Sequence, residues 1–267
     1  MTAPVMVQTS ATTLATRVDG AEGLPWLIMS NSLGADMSMW EAQLPALTAK
    51  RRVLRYDTRG HGASADSAPP GPYDFKDLTG DVIALMDHYG IDSADIVGLS
   101  MGGMTALGLA IDHGARVHRA VCANARAAFP PPGIAMWDQR SAAVAAGGMA
   151  AVADDTVDRW FTPATRNLRP ELARHAMRMI LATSPEGYMG CTAALKGLAY
   201  LSRLSEIAVP MLYIAGAEDT GAPPAAMAEM QAATPGAALV VLPDVAHISN
   251  IEAPEAFNAV VTGFLFD

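Results

Sequence analysis

The run Ala94-Asp95-Ile96-Val97-Gly98-Leu99-Ser100-Met101-Gly102-Gly103 carries more structural information than any other in the chain. An apolar stretch with β-branched residues stops at a glycine, and a serine follows two positions later. Met104-Thr105-Ala106-Leu107-Gly108-Leu109-Ala110 then suits a buried helix. Strand, sharp turn and helix are the context that Gly-x-Ser-x-Gly requires, because the serine side chain must stand clear at the carboxyl end of a sheet. Gly98 and Gly102 lack a Cβ where one would strike the opposing backbone. The first free N–H groups of the helix point toward the serine oxygen, where developing negative charge is stabilised. Ser100 is therefore the candidate nucleophile.

Outward from that turn, strands and helices alternate. Residues 5 to 18 read as a hairpin, with a turn at Asp19-Gly20. Strands are expected at 25–29, 53–56, 120–123, 209–215 and 238–242, and a helix begins near Met39-Trp40. Phe75, Leu78, Val82, Leu85 and Met86 form the apolar stripe of a helix over 75–89. Further helices are expected at 223–233 and 253–265. Between Asn124 and Glu206 the strand signal disappears, and helical patterns near 141–152, 154–161, 169–182 and 186–199 are broken by prolines. The expectation is an α/β fold whose eight-stranded, mostly parallel sheet is flanked by helices, with a helical cap inserted after the sixth strand. Residues 1–123 and 207–267 would form the core and 124–206 the cap, over the sheet edge where such folds bind ligands.

Composition narrows the function. A net charge of −9 opposes binding to nucleic acid or to an anionic membrane surface, and no basic run offsets it. No stretch has the length of apolar residues that a membrane span needs, and the amino terminus shows no secretory leader. Cys122 and Cys191 read as two free buried thiols, which with the missing leader gives a cytoplasmic expectation. No Cys/His spacing resembles a metal site, and attack by a serine hydroxyl requires no metal or organic cofactor.

A serine hydroxyl needs a positioned base, and that base needs an orienting carboxylate. His88, His113, His118 and His175 fall on helices or on loops opposite the turn. His61 lies among glycines, where Asp57 and Arg59 are expected to pin the loop by an ion pair, and reads as structural. His247 follows a strand directly and precedes the last helix, so it is the candidate base. Of the acids, Asp219 after the strand at 209–215 is first choice, Glu218 is its close rival, and Asp244 reads as a turn residue. Asn124, after the strand at 120–123, carries no charge. Backbone N–H groups of Leu33 and Met101 are the expected oxyanion donors, with Ser32 or Asn31 as alternatives to Leu33.

Asn31-Ser32-Leu33-Gly34, Met39-Trp40, Gln43-Leu44-Pro45-Ala46-Leu47 and Leu54 to Ser64 (with its Arg59-Gly60-His61-Gly62) resemble the 3-oxoadipate enol-lactonase family of α/β-hydrolases. So do Pro69-Pro70-Gly71-Pro72-Tyr73, Ala145 to Ala150, Arg159-Trp160-Phe161-Thr162-Pro163, Pro185-Glu186-Gly187-Tyr188 and Ala246 to Glu252. The resemblance implies a serine hydrolase that opens a small carboxylate-bearing lactone, with Ser100, Asp219 and His247 at the matching triad positions. Such a substrate calls for a cation in the pocket. Arg140, beside Trp137, is the first candidate, followed by Arg126 and Lys196. The chain departs from the family pattern at Asn124 to Gly133 and around Leu195-Lys196-Gly197-Leu198, where substrate choice is made. Rival readings on the same scaffold are an esterase, lactonase or lactamase for another small substrate, a cofactor-free perhydrolase, and a non-catalytic receptor for small molecules.

Overall fold

In the computed structural model, which describes residues 3–266, eight strands form one sheet: β1 (Val5–Gln8), β2 (Thr13–Asp19), β3 (Trp26–Ser30), β4 (Arg52–Tyr56), β5 (Ala94–Leu99), β6 (Val117–Ala123), β7 (Met211–Gly216) and β8 (Ala238–Leu242). Their order across the sheet is β1-β2-β4-β3-β5-β6-β7-β8. Only β1 with β2 and β2 with β4 pair antiparallel. The other pairs are parallel, and every residue of β5 and β7 is buried, as strands covered on both faces require. The hairpin reverses at Thr9–Thr12, where Thr9 N–H and Oγ1 both donate to Thr12 O. The turn at Gly20 follows β2 and leads away to β3.

The helices are α1 (Leu44–Leu47), α2 (Phe75–His88), α3 (Met101–Asp112), α4 (Pro131–Gly147), α5 (Ala150–Trp160), α6 (Pro163–Leu168), α7 (Pro170–Leu181), α8 (Pro185–Lys196), α9 (Pro224–Ala233), α10 (Ser249–Glu252) and α11 (Pro254–Phe266). The segment at Met39-Trp40 is a 3₁₀ turn, Met37–Gln43, that runs into α1. Helix α3 packs on β5 and β6, and α9 packs on β7 and β8. The insert after β6 comprises α4 to α8. Its first helix starts ten residues earlier than the pattern suggests, because Pro131 and Pro132 occupy the first turn, where a missing N–H costs nothing. It ends at Gly147-Gly148. Prolines 163, 170 and 185 likewise open helices instead of interrupting them.

The loop after β4 corrects one expectation. Asp57 and Arg59 do not pair with each other. Arg59 forms a two-pronged ion pair with Asp81 of α2, while Asp57 accepts from the N–H groups of Met37 and Ala63. This loop seats the insert. A Cβ on Gly60 would lie 2.3 Å from Gly187 Cα, and Ser184 N–H donates to Gly60 O, so α8 rests backbone to backbone on the core. Both cysteines are buried and unpaired. Among the described residues, no helix is long and apolar enough to cross a membrane. The domain limits at residues 1 and 267, and the start of the amino-terminal stretch at Met1-Thr2, lie outside the described residues.

Candidate active site

Between β5 and α3 the backbone of Ser100 adopts φ 57° and ψ −118°, a conformation that lifts its side chain away from the sheet. Two close approaches permit this. A Cβ on Gly98 would sit 2.0 Å from Gly102 O, and one on Gly102 would sit 2.0 Å from Ser30 O. Ser100 N–H donates to Ala123 O at 2.8 Å, fixing the turn to the neighbouring strand. The geometry is that of a strained strand-to-helix elbow.

His247 lies on the loop between β8 and α10. Its Nε2 is 2.9 Å from Ser100 Oγ, and its Nδ1 is 2.8 Å from Asp219 Oδ2. A carboxylate only accepts, so Nδ1 carries the proton and Nε2 accepts from the serine hydroxyl. Asp219 lies on the loop after β7 and is buried. Its Oδ1 accepts from Gly221 and Ala222 N–H, and its Oδ2 accepts from Asn124 Nδ2. Burial by itself would raise the Asp219 pKa. The His247 charge and these hydrogen bonds outweigh that effect and hold it at about 2. Glu218 and Asp244 are exposed, the latter in a turn at φ 57°. His61 is buried inside its loop with Nδ1 against Arg59 O, away from Ser100.

Asn124 and Glu252 also serve the site, although sequence reading gives neither a role. Asn124 bridges Asp219 and Ala246 O, and its own Oδ1 accepts from Ser249. Glu252 is buried and ties the insert to the histidine loop. One of its oxygens accepts from Thr162 N–H and Oγ1, and the other accepts from Ala246 N–H. Among the described residues, neither Leu33 N–H nor Met101 N–H has an acceptor within the protein. Asn31 is tied into the core by Tyr56 O and Trp40, whereas Ser32 and Leu33 line the cavity.

That cavity, about 330 Å³, lies between Ser100 and the insert. Trp137, Arg126 and Arg140 line it, but Lys196 does not: it pairs with Asp138 at the surface. The guanidinium of Arg140 donates to Asp155, Thr156, Val152 O and Tyr188, which takes up four of its five N–H groups. Arg159 also lines the cavity, and sequence reading does not single it out as a cation. The available signal is its position on α5, where Val152, Thr156 and Trp160 mark the buried face and Arg159 falls beside them.

Residues 25–254 match the alpha/beta hydrolase fold family. The chain is 40% identical to 3-oxoadipate enol-lactonase 2 of Acinetobacter baylyi, across 91% of this chain and 89% of that protein. Its fold superposes on the crystal structure of the enol-lactonase from Burkholderia xenovorans with a TM-score of 0.94 at 39% identity, covering 98% and 100% of the two chains. A thermophilic esterase from Thermogutta terrifontis, solved with malate bound, gives 0.90 at 27% identity over 98% and 97%. The chain belongs to the alpha/beta hydrolase fold family, as a homologue of 3-oxoadipate enol-lactonases.

Proposed function

We propose that the protein opens a small carboxylate-bearing lactone of the 3-oxoadipate enol-lactone type through an acyl-enzyme on Ser100. The observation that carries this reading is the hydrogen-bonded chain from Ser100 through His247 to Asp219, ending in a cavity of small-molecule size. In this reading His247 takes the hydroxyl proton as Ser100 Oγ bonds to the lactone carbonyl carbon. Asp219 fixes the imidazole tautomer and stabilises the imidazolium. The Leu33 and Met101 N–H groups receive the oxyanion, a contribution typically of about a hundredfold or more per donor. Collapse breaks the ring C–O bond, and His247 returns its proton to the enolate oxygen, which stays tethered and tautomerises to a ketone. Water activated by His247 then releases the carboxylate and restores the serine. Residues 124–206 act as the cap that shapes the cavity.

Similarity to an esterase favours a second reading, hydrolysis of another small ester by the same three side chains. Turnover of an enol-lactone against a panel of small esters separates the two. In both, Ser100→Ala is expected to abolish labelling by a fluorophosphonate and to lower turnover by about a thousandfold or more. Full turnover by the Ser100→Ala protein would remove the mechanism.

A further inference from the structure

Asn124 stands where the three loops of the triad meet. It follows β6 directly, and its neighbour Ala123 accepts from Ser100 N–H, so the elbow is fixed one residue away. Its own N–H donates to Ile214 O of β7 at 2.8 Å, and its backbone turns left-handed at φ 48°, a conformation asparagine tolerates better than most residues. The side chain is wholly buried, and both hydrogens of its amide are spent. Nδ2 donates to Asp219 Oδ2 at 3.0 Å and to Ala246 O at 3.2 Å, while Oδ1 accepts from Ser249 Oγ. Turning the amide over would set its oxygen against a carboxylate and a carbonyl, so the orientation is forced.

The contact with Asp219 falls on the oxygen that faces the base. Oδ2 receives Asn124 Nδ2–H and, at 2.8 Å, His247 Nδ1–H, while Oδ1 is held by Gly221 and Ala222 N–H. Gly221 and Ala222 belong to the acid's own loop. Asn124 comes from another strand, and alone among these four donors it also holds the carbonyl of Ala246, the residue before His247. One planar group thereby fixes the separation between the acid loop and the histidine loop. We propose that Asn124 is a positioning residue of the triad, keeping carboxylate and imidazole in register so that Nε2 stays aimed at Ser100 Oγ through acylation and deacylation alike. The assignment rests on the proposed hydrolase function and adds to it a group whose amide hydrogens are all committed to the triad loops, leaving none for substrate. Shape alone does not suffice for this role. Aspartate would fit the space, but it would bring a second carboxylate against Asp219 Oδ2, and two that close cannot both stay ionised.

Asn124→Gly removes the side chain without strain at this backbone angle, and Asn124→Asp keeps the shape while turning both donors into acceptors. The rate at which a fluorophosphonate labels Ser100 reads activation of the nucleophile whatever the natural substrate. It is expected to fall about tenfold to a hundredfold in each variant, short of the ~10⁴-fold loss that a wrong imidazole tautomer brings. With p-nitrophenyl acetate the fall should appear in kcat, with KM within about threefold of wild type. Ser249→Ala, which frees Oδ1 and keeps both donors, should lose less than either. The downfield proton resonance of His247 Nδ1–H should broaden or move upfield in Asn124→Gly, a signature that looser packing elsewhere would not give. Wild-type labelling by a folded Asn124→Gly protein or by Asn124→Asp overturns the assignment, and so does a loss confined to KM. If Asn124→Gly does not fold, the isosteric Asn124→Asp decides the matter by the same labelling rate. Absence of labelling in wild type would remove the hydrolase reading itself, and this assignment with it.

Discussion

His61 shows how burial alone settles a histidine's role. Desolvation lowers its pKa to about 4, so the imidazole is neutral in the folded chain wherever the protein is stable. The unfolded chain takes up that proton near its ordinary value of 6.5. Stability is therefore intact above pH 6.5 and falls as pH drops toward 4, by about 2 kcal/mol between pH 7 and pH 5. Urea unfolding at those two pH values should show a loss smaller by that amount in His61→Gln than in wild type. Asp57, pushed up to about 6 by burial, titrates in the opposite sense in both proteins and cancels from the difference. Equal losses in the two proteins would mean that His61 is hydrated. Ser100, His247 and Asp219 are readable at this scale because their chemistry demands particular side chains at strand ends. The oxyanion donors proposed at Leu33 and Met101 are inferred only by position, since a backbone N–H leaves no mark on residue type. Arg159 is hidden by a local rule: Asp155 stands four residues earlier on the same helix, where a pair with Arg159 is expected. The carboxylate turns to Arg140 instead, and Asp158 turns to Arg166. Only the folded positions of Arg140 on α4 and Arg166 on α6 decide those partners.

Among the elements, the strands are the more legible because buried parallel strands read as short apolar runs. Helix starts in the insert are not, since a proline that ends one helix and a proline that opens the next look alike in one dimension. A second join between insert and core, beside the contact of Gly60 with Gly187, is made by Glu252 of α10. Its two oxygens meet three donors, from Thr162 and Ala246, the residue next to His247. Replacing one oxygen with an amide turns a donor toward a donor. Glu252→Gln is expected to cost about 1–3 kcal/mol in urea unfolding, the cost of an unsatisfied buried group. It should also lower kcat more than KM changes, because the histidine loop loses its anchor. A stability loss with kcat intact would limit Glu252 to holding the insert.

For the molecule as a whole, the question is whether insert and sheet unfold together. Two thiols report on the two parts: Cys122 on β6 and Cys191 on α8, both buried. Burial raises both thiol pKa values, that of Cys191 to about 12. Neither should react with a disulfide reagent in the native protein, and both should react over one urea transition, resolved with Cys122→Ala and Cys191→Ala. Release of Cys191 at lower urea would show an insert that melts first. The contact between Gly60 and Gly187 argues for the single transition, and it has a second consequence. With no side chain between the two backbones, there is nothing to swivel, and displacing α8 by even one water diameter would leave an empty gap. The stretch of cavity wall that α8 supplies through Tyr188 and Leu195 is therefore expected to keep its shape when a guest enters, instead of folding shut around it.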